Sequence, residues 1–239
     1  MSDYQDPDEN AELRLARHEG ALPVGQRRPG MFGVTGTGDT SGFSGLRRQP
    51  WVELPAERPF GGYFDEVMDA LAAAYPALDE ALIKVVLDRG ELTLHLRREH
   101  LLGVSQALRD DQALRFELLS AVSGVDYLAR DGADGPRLHS VYHLTSMTYR
   151  RRIRLEVSVT VLDPHVPSVT RIFPTADWQE RETWDMFGIV YDGHPSLTRI
   201  LMPDDWEGHP QRKDYPLGGV DVEYKGASIP PPDQRRVYR

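Results

Sequence analysis

The 239-residue chain has no cysteine. Disulfides, thiolate zinc sites and cysteine-ligated iron–sulfur clusters are therefore excluded from its own residues. It also lacks any run near the ~18 apolar residues that cross a bilayer. The opening residues Met1-Ser2-Asp3-Tyr4-Gln5-Asp6 are acidic and contain no apolar core. Neither a secretory leader nor an Arg-rich transit peptide is expected from them. Basic residues are in the minority, 28 against 37 acidic ones, for a net charge of −9. That balance disfavours nucleic acid or anionic lipid as the main partner. The expectation is a soluble, cytoplasmic chain of one large or two small domains.

Periodicity is scarce at both ends. Residues 1–60 have almost none, and Gly33-Val34-Thr35-Gly36-Thr37-Gly38-Asp39-Thr40-Ser41-Gly42 only superficially resembles a phosphate loop. It lacks the Gly-Lys-Ser/Thr ending and no strand precedes it. An irregular N-terminal extension, flexible or draped on a partner, is the reading. Residues 189–239 hold Pro195, Pro203, Pro210, Pro216 and Pro230-Pro231-Pro232, with Trp206, Tyr215, Tyr224 and Tyr238 between them. The segment is too long for an ordinary loop and too aromatic for a solvated tail. It reads as an extended C-terminal arm packed on partner subunits, with its aromatics as anchors.

A domain over 61–188 lies between these ends. Phe64, Val67, Met68, Leu71 and Ala72 predict a helix that Tyr75-Pro76 ends. Ile83, Val85 and Leu87, a turn at Asp88-Arg89-Gly90-Glu91, then Leu92, Leu94 and Leu96 predict a hairpin. Leu101, Leu102, Val104 and Leu108, then Leu114, Leu118 and Leu119, suggest helix in one or two pieces over 99–121. Ser123-Gly124-Val125-Asp126-Tyr127 leads into a short strand. Beyond a turn at 131–136 come strands near 138–148 and at Ile153, Leu155, Val157, Val159 and Val161, where alternation is cleanest. This order is not βαβ repetition. The fold class is α+β, a mixed β-sheet with helices on one side and long arms. Ile83, Leu94, Ile153, Leu155 and Val157 are expected to build the sheet core.

The stretch Trp178 to Gly188 reads as a short helix, with Thr175 as N-cap and Gly188 as a left-handed end. At about 100° per residue, its apolar and charged side chains alternate around the cylinder, so enclosure on several sides is expected. Asp177–Arg181 and Arg181–Asp185 are the expected ion pairs. Glu180 and Glu182 point to different sides of a helix and do not converge on one substrate. Glu182 and Asp185 do share a side, but Arg181 competes for Asp185. In the arm, His194, Asp204, Asp205, Glu207 and His209 are metal-capable but match no ligand spacing. His139 and His143 share one strand face, where structural pairs are commoner than ligands. Arg150-Arg151-Arg152 reads as a solvated strand end or, second, as a contact for an acidic partner. No catalytic, cofactor-binding or metal residue is assigned.

Glu180-Arg181-Glu182-Thr183-Trp184-Asp185-Met186-Phe187-Gly188 is followed by Gly193-His194-Pro195, Arg199-Ile200-Leu201, Asp204-Asp205-Trp206-Glu207-Gly208-His209-Pro210 and Arg212-Lys213-Asp214-Tyr215-Pro216-Leu217. This series closely resembles the thirty-kilodalton subunit family of respiratory complex I, the C-type subunits of NADH–quinone oxidoreductase. The resemblance does not cover residues 1 to 55. Thr198 departs from it, standing where the family usually has a basic residue. The resemblance implies a peripheral-arm subunit without flavin, cluster or quinone ligand of its own. It implies packing against the hydrogenase-like D subunit and the cluster-bearing B subunit, with contacts towards G and I. NADH, FMN, the iron–sulfur clusters, quinone and the cytoplasmic side of the membrane then concern the chain only through the complex. Glu180, Arg181, Glu182, Trp184, Asp185, Phe187, Gly188, His194, Arg199, Trp206, His209, Arg212, Lys213 and Tyr215 would be signature or interface residues. The rival readings are the equivalent subunit of a hydrogenase- or F420-linked relative, and a free-standing metal-dependent hydrolase using His194, Asp204 and His209.

Overall fold

In the computed structural model, residues 55–215, 222–224 and 226–229 are described. The glycine-rich stretch 33–42 and most of the N-terminal extension lie outside them. Helix α1, Phe64–Ala74, buries Phe64, Val67, Met68 and Leu71, while Ala72 stays exposed. Pro76 lies just beyond its end, and a short helix, α2 (Leu78–Ala81), follows. Strands β1 (Leu82–Asp88) and β2 (Glu91–Leu96) form the anticipated hairpin. Its two turn residues, Arg89 and Gly90, have φ of 49° and 73°. Two left-handed residues in a row give the turn whose twist matches that of the strands.

A 3-10 turn, Arg98–His100, leads into α3, Leu101–Asp110. Then come β3 (Leu118–Asp126), α4 (Leu128–Asp131), β4 (Leu138–Ser146) and β5 (Arg151–Val159). The sheet order is β1-β2-β5-β4-β3. All neighbours are antiparallel except β2 and β5, so the sheet is mixed as the sequence indicates. The row Leu94, Leu155, Tyr142, Val122 crosses four strands in register. It shares one hydrophobic core with α1, α3 and the later helix α5, Ala176–Phe187. Beside α5, β6 (His165–Pro167) pairs in parallel with β7 (Val190–Asp192). Strands β8 (Val222–Tyr224) and β9 (Ala227–Ile229) pair with each other.

Three expectations are corrected. The second helical piece is strand: Leu118 and Leu119 open β3. Asp111 Oδ1 accepts the Ala113 N–H, and Arg115 turns left-handed at φ 46°, so the helix cannot continue. A bulge between Leu119 and Ala121 then breaks the two-residue alternation that would have marked a strand. Ile83 is not core but 56% exposed. The register shifts between Leu82 and Lys84, which turns this one residue outward. Finally, the arm does not leave the domain at residue 189. Residues 189–215 lie against α5 and the end of β3 of the same chain.

Candidate functional site

The family-like residues meet where α5 ends and the arm turns back over it. Gly188 adopts φ 74° and ψ 24°, and its N–H closes the helix on Trp184 O at 2.8 Å. A helix leaves its last four carbonyls without partners. Gly188 serves one of them, Trp184 O, and the arm supplies partners to the other three. His209 Nδ1 donates to Asp185 O at 3.0 Å, Gln211 N to Met186 O at 3.0 Å, and Arg212 Nε to Phe187 O at 2.6 Å. Arg212 also places its charge at the negative end of the helix dipole. Any side chain at Gly188 would be strained. A Cβ there would overlap Arg212 Nη2 and lie 2.6 Å from the His209 ring.

Asp185 is the centre of the arrangement and is fully buried. Its Oδ2 accepts the N–H groups of Ile200, Leu201 and Met202 at 3.1, 2.9 and 2.9 Å. Its Oδ1 accepts Arg199 Nη1 at 2.5 Å. Burial alone would raise this carboxyl, but the three amides and the guanidinium outweigh it and hold it below the usual range. Arg199 goes on to donate to Trp206 O at 2.8 Å, and it lies over the Trp184 ring at 5.7 Å. The predicted Arg181–Asp185 pair does not form. Arg181 instead donates to the carbonyls of Thr198 and Arg199 at 3.1 and 3.2 Å and covers Trp178. Thr198 thus takes part through its backbone.

Glu180 is also fully buried but is treated differently. Ser168 Oγ donates to Oε2 at 2.6 Å and Val169 N to Oε1 at 2.8 Å. No cation joins them among the described residues, and burial pushes its pKa up to about 7. Glu182 and Trp178 face outward, Trp178 at 65% exposure, so α5 has one open side. Thr175 makes no N-cap bond; its hydroxyl donates to Leu119 O at 3.2 Å. Phe187 rests on Gly124 of β3, where a Cβ would meet its ring and lie 2.8 Å from Thr183 Cγ2.

The metal-capable arm residues do not gather. His194 Nε2 lies 3.1 Å from Asp177 O, and its Nδ1 accepts Ser196 N–H at 3.0 Å. His209 donates to Asp185 O, while Asp204, Asp205 and Glu207 are exposed. Tyr215 bonds Glu207 O, and Trp206 presents its carbonyl to Arg199, so both aromatics anchor the arm to itself. Lys213 N donates to Asp126 Oδ2 at 2.8 Å, and Arg137 joins Asp126 to Asp214 at 3.4 and 2.6 Å. No local pattern announces this last link, because Arg137 and Asp214 are 77 residues apart. Strand spacing pairs His139 with His143, but the fold gives His139 other company. Its Nδ1 meets Glu156 at 2.5 Å, its Nε2 meets Asp131 at 3.2 Å, and His95 lies 3.8 Å from the same Glu156. Among the described residues, His95, His139 and Glu156 are the group whose ligand atoms converge.

Residues 94–221 match the family model described as respiratory-chain NADH dehydrogenase, 30 Kd subunit. The chain is 72% identical over 210 residues to the C subunit of NADH-quinone oxidoreductase from Salinispora arenicola, covering 88% of this chain and 84% of that one. It is 56% identical over 238 residues to the protein of the same name from Mycobacterium marinum, covering 98% of each. Among solved structures it is similar to a chain of the membrane-bound sulfane sulfur reductase, an archaeal respiratory membrane complex, with a TM-score of 0.53 and 20% identity. That likeness covers 65% of this chain and 87% of the other, and it is one of fold.

Proposed function

The chain belongs to the thirty-kilodalton subunit family of respiratory-chain NADH dehydrogenase, and from that premise we propose a non-catalytic scaffold role in the peripheral arm of a proton-pumping NADH–quinone oxidoreductase. One observation carries this reading. Asp185, Arg199, His209 and Arg212 each end on a backbone or side-chain partner inside the clamp between α5 and the arm. Groups held in this way fix a surface; they are not presented to a substrate. The open Trp178 side of α5 is where neighbouring subunits of the B and D types bind, with G and I types further out. Flavin and iron–sulfur clusters sit in other subunits of the complex, in keeping with a chain that has no cysteine. Among the described residues no helix is long and apolar enough to cross a membrane. In this reading the complex itself holds the chain at the membrane, on its cytoplasmic side. Relatives named for NADH and quinone support NADH as donor over hydrogen or F420.

The test is to purify a tagged full-length chain from membranes in mild detergent and identify the chains that come with it. NADH- and FMN-binding subunits and NADH–quinone turnover are expected in that pool. The chain purified alone is expected to be colourless and inactive. A stoichiometric flavin or metal in the isolated chain overturns the scaffold role.

A further inference from the structure

The sheet face away from Gly124 and α5 is closed over one half and open over the other. At the closed half His95, His139, Val141 and Glu156 are buried. At the open half two in-register rows run side by side, Thr93–Arg154–His143–Ala121 and Arg152–Thr145–Leu118. A groove of about 460 Å³ lies over them, lined by Glu91, Ser120, His143, Thr145, Arg152 and Arg154 among others. It crosses four strands, roughly 14 Å at ~4.8 Å per strand.

Donors outnumber acceptors in this groove. Arg154 Nη2 is paired with Glu91, but its Nε is buried and has no hydrogen-bond partner among the described residues. Arg152 is exposed and has no carboxylate partner among the described residues. Ser120 and Thr145 hydroxyls bond each other at 2.8 Å on the floor. Burial and the two arginines, Arg154 first, lower the His143 pKa, although Glu91 works against them. An arriving carboxylate would relieve that crowding of positive charge. An apolar side chain stands at one end: Leu118, paired with Thr145, is 37% exposed. The chain as a whole carries −9, so this patch runs against its own background.

We infer that the groove seats an extended, acidic segment of a neighbouring subunit, its Asp or Glu on Arg152 and Arg154 and an adjacent apolar residue on Leu118. A small anion would satisfy the guanidinium groups but leave Leu118 wet. A segment with one acid and one apolar residue, two positions apart on the same side of an extended chain, satisfies both. The inference rests on the assembly reading above and names a contact within it.

The experiment places p-benzoylphenylalanine at position 118 in the full-length chain and irradiates the purified complex. The expected cross-link is to one other subunit, in a peptide carrying Asp or Glu. R152E is expected to weaken retention of the chain in the complex about tenfold or more, and R152Q less, with the free variants keeping wild-type circular dichroism. Exchanging the cross-linked acid for Arg should restore R152E. Cross-links confined to this chain, to a second copy of it, or absent from an intact complex overturn the inference. So does wild-type retention of R152E. If wild type itself fails to co-purify with other subunits, the assembly reading has failed; if only the Arg152 variants behave as wild type, the groove alone is at fault.

Discussion

Asp185 and Glu180 lie five residues apart on one helix, both sealed from solvent, and their acidities are driven in opposite directions. The difference is the company each keeps. Asp185 receives three amides and a guanidinium, whereas Glu180 receives one hydroxyl and one amide and feels Asp177 nearby. Replacing Asp185 by Asn leaves the largely covered Arg199 without its counter-ion, and a loss of about 3–5 kcal/mol in urea unfolding is expected. Glu180 has the opposite linkage. Its folded pKa, about 7, lies above its ordinary value, so the stabilising contribution is complete at acid pH and disappears as pH rises through 7. Wild type is therefore expected to lose up to about 3 kcal/mol between pH 5 and 8.5 from this group. Glu180→Gln keeps an acceptor for Val169 N–H and a donor towards Ser168. Its urea midpoint should vary less over the same range, and an unchanged pH profile would contradict the assignment.

At the level of the helix, the clamp depends on the arm reaching the terminal carbonyls of α5. Gly188→Ala places a methyl group against Arg212 and His209 at a left-handed residue. A loss of roughly 1–3 kcal/mol is expected, together with faster protease cutting between 195 and 215. The two arginines should separate clearly. Arg199 is 13% exposed and bonded to buried Asp185, so Arg199→Ala is expected to cost about 3–5 kcal/mol. Arg181 contacts only carbonyls and the exposed Trp178, and its removal should cost about 0–1 kcal/mol. Equal losses from the two would mean that the clamp is not centred on Asp185.

For the molecule as a whole, the arm up to Tyr215 belongs with the domain. Asp126, Arg137 and Asp214 tie it to the end of β3 and the start of β4. Limited proteolysis of the free chain is expected to leave a fragment that retains Tyr215 and does not end at 188. Arg137→Ala, which strands Asp126 and releases Asp214, should move the cut back toward residue 190. A wild-type fragment ending at 188 would show that the arm needs a partner to lie down.

The hairpin, the α1 face, the alternating β5 and the left-handed end at Gly188 are legible in the sequence, because each is set by neighbours a few residues away. The α+β class follows from them, and so does the family, through residues 180–217. Ile83 and Leu118 mislead because a single bulged residue resets a two-residue period, and spacing alone cannot show where a bulge falls. The partners of Asp185 escape the sequence for a related reason. Helical spacing offers Arg181 at i−4, but a carboxylate gains more from three converging amides and Arg199, which only the folded arm brings together. The groove and the His95–Glu156–His139 group join residues on four and three different strands, respectively. Sequence supplied those side chains; the sheet order β1-β2-β5-β4-β3, built from pairings between strands far apart in the chain, decided which of them meet.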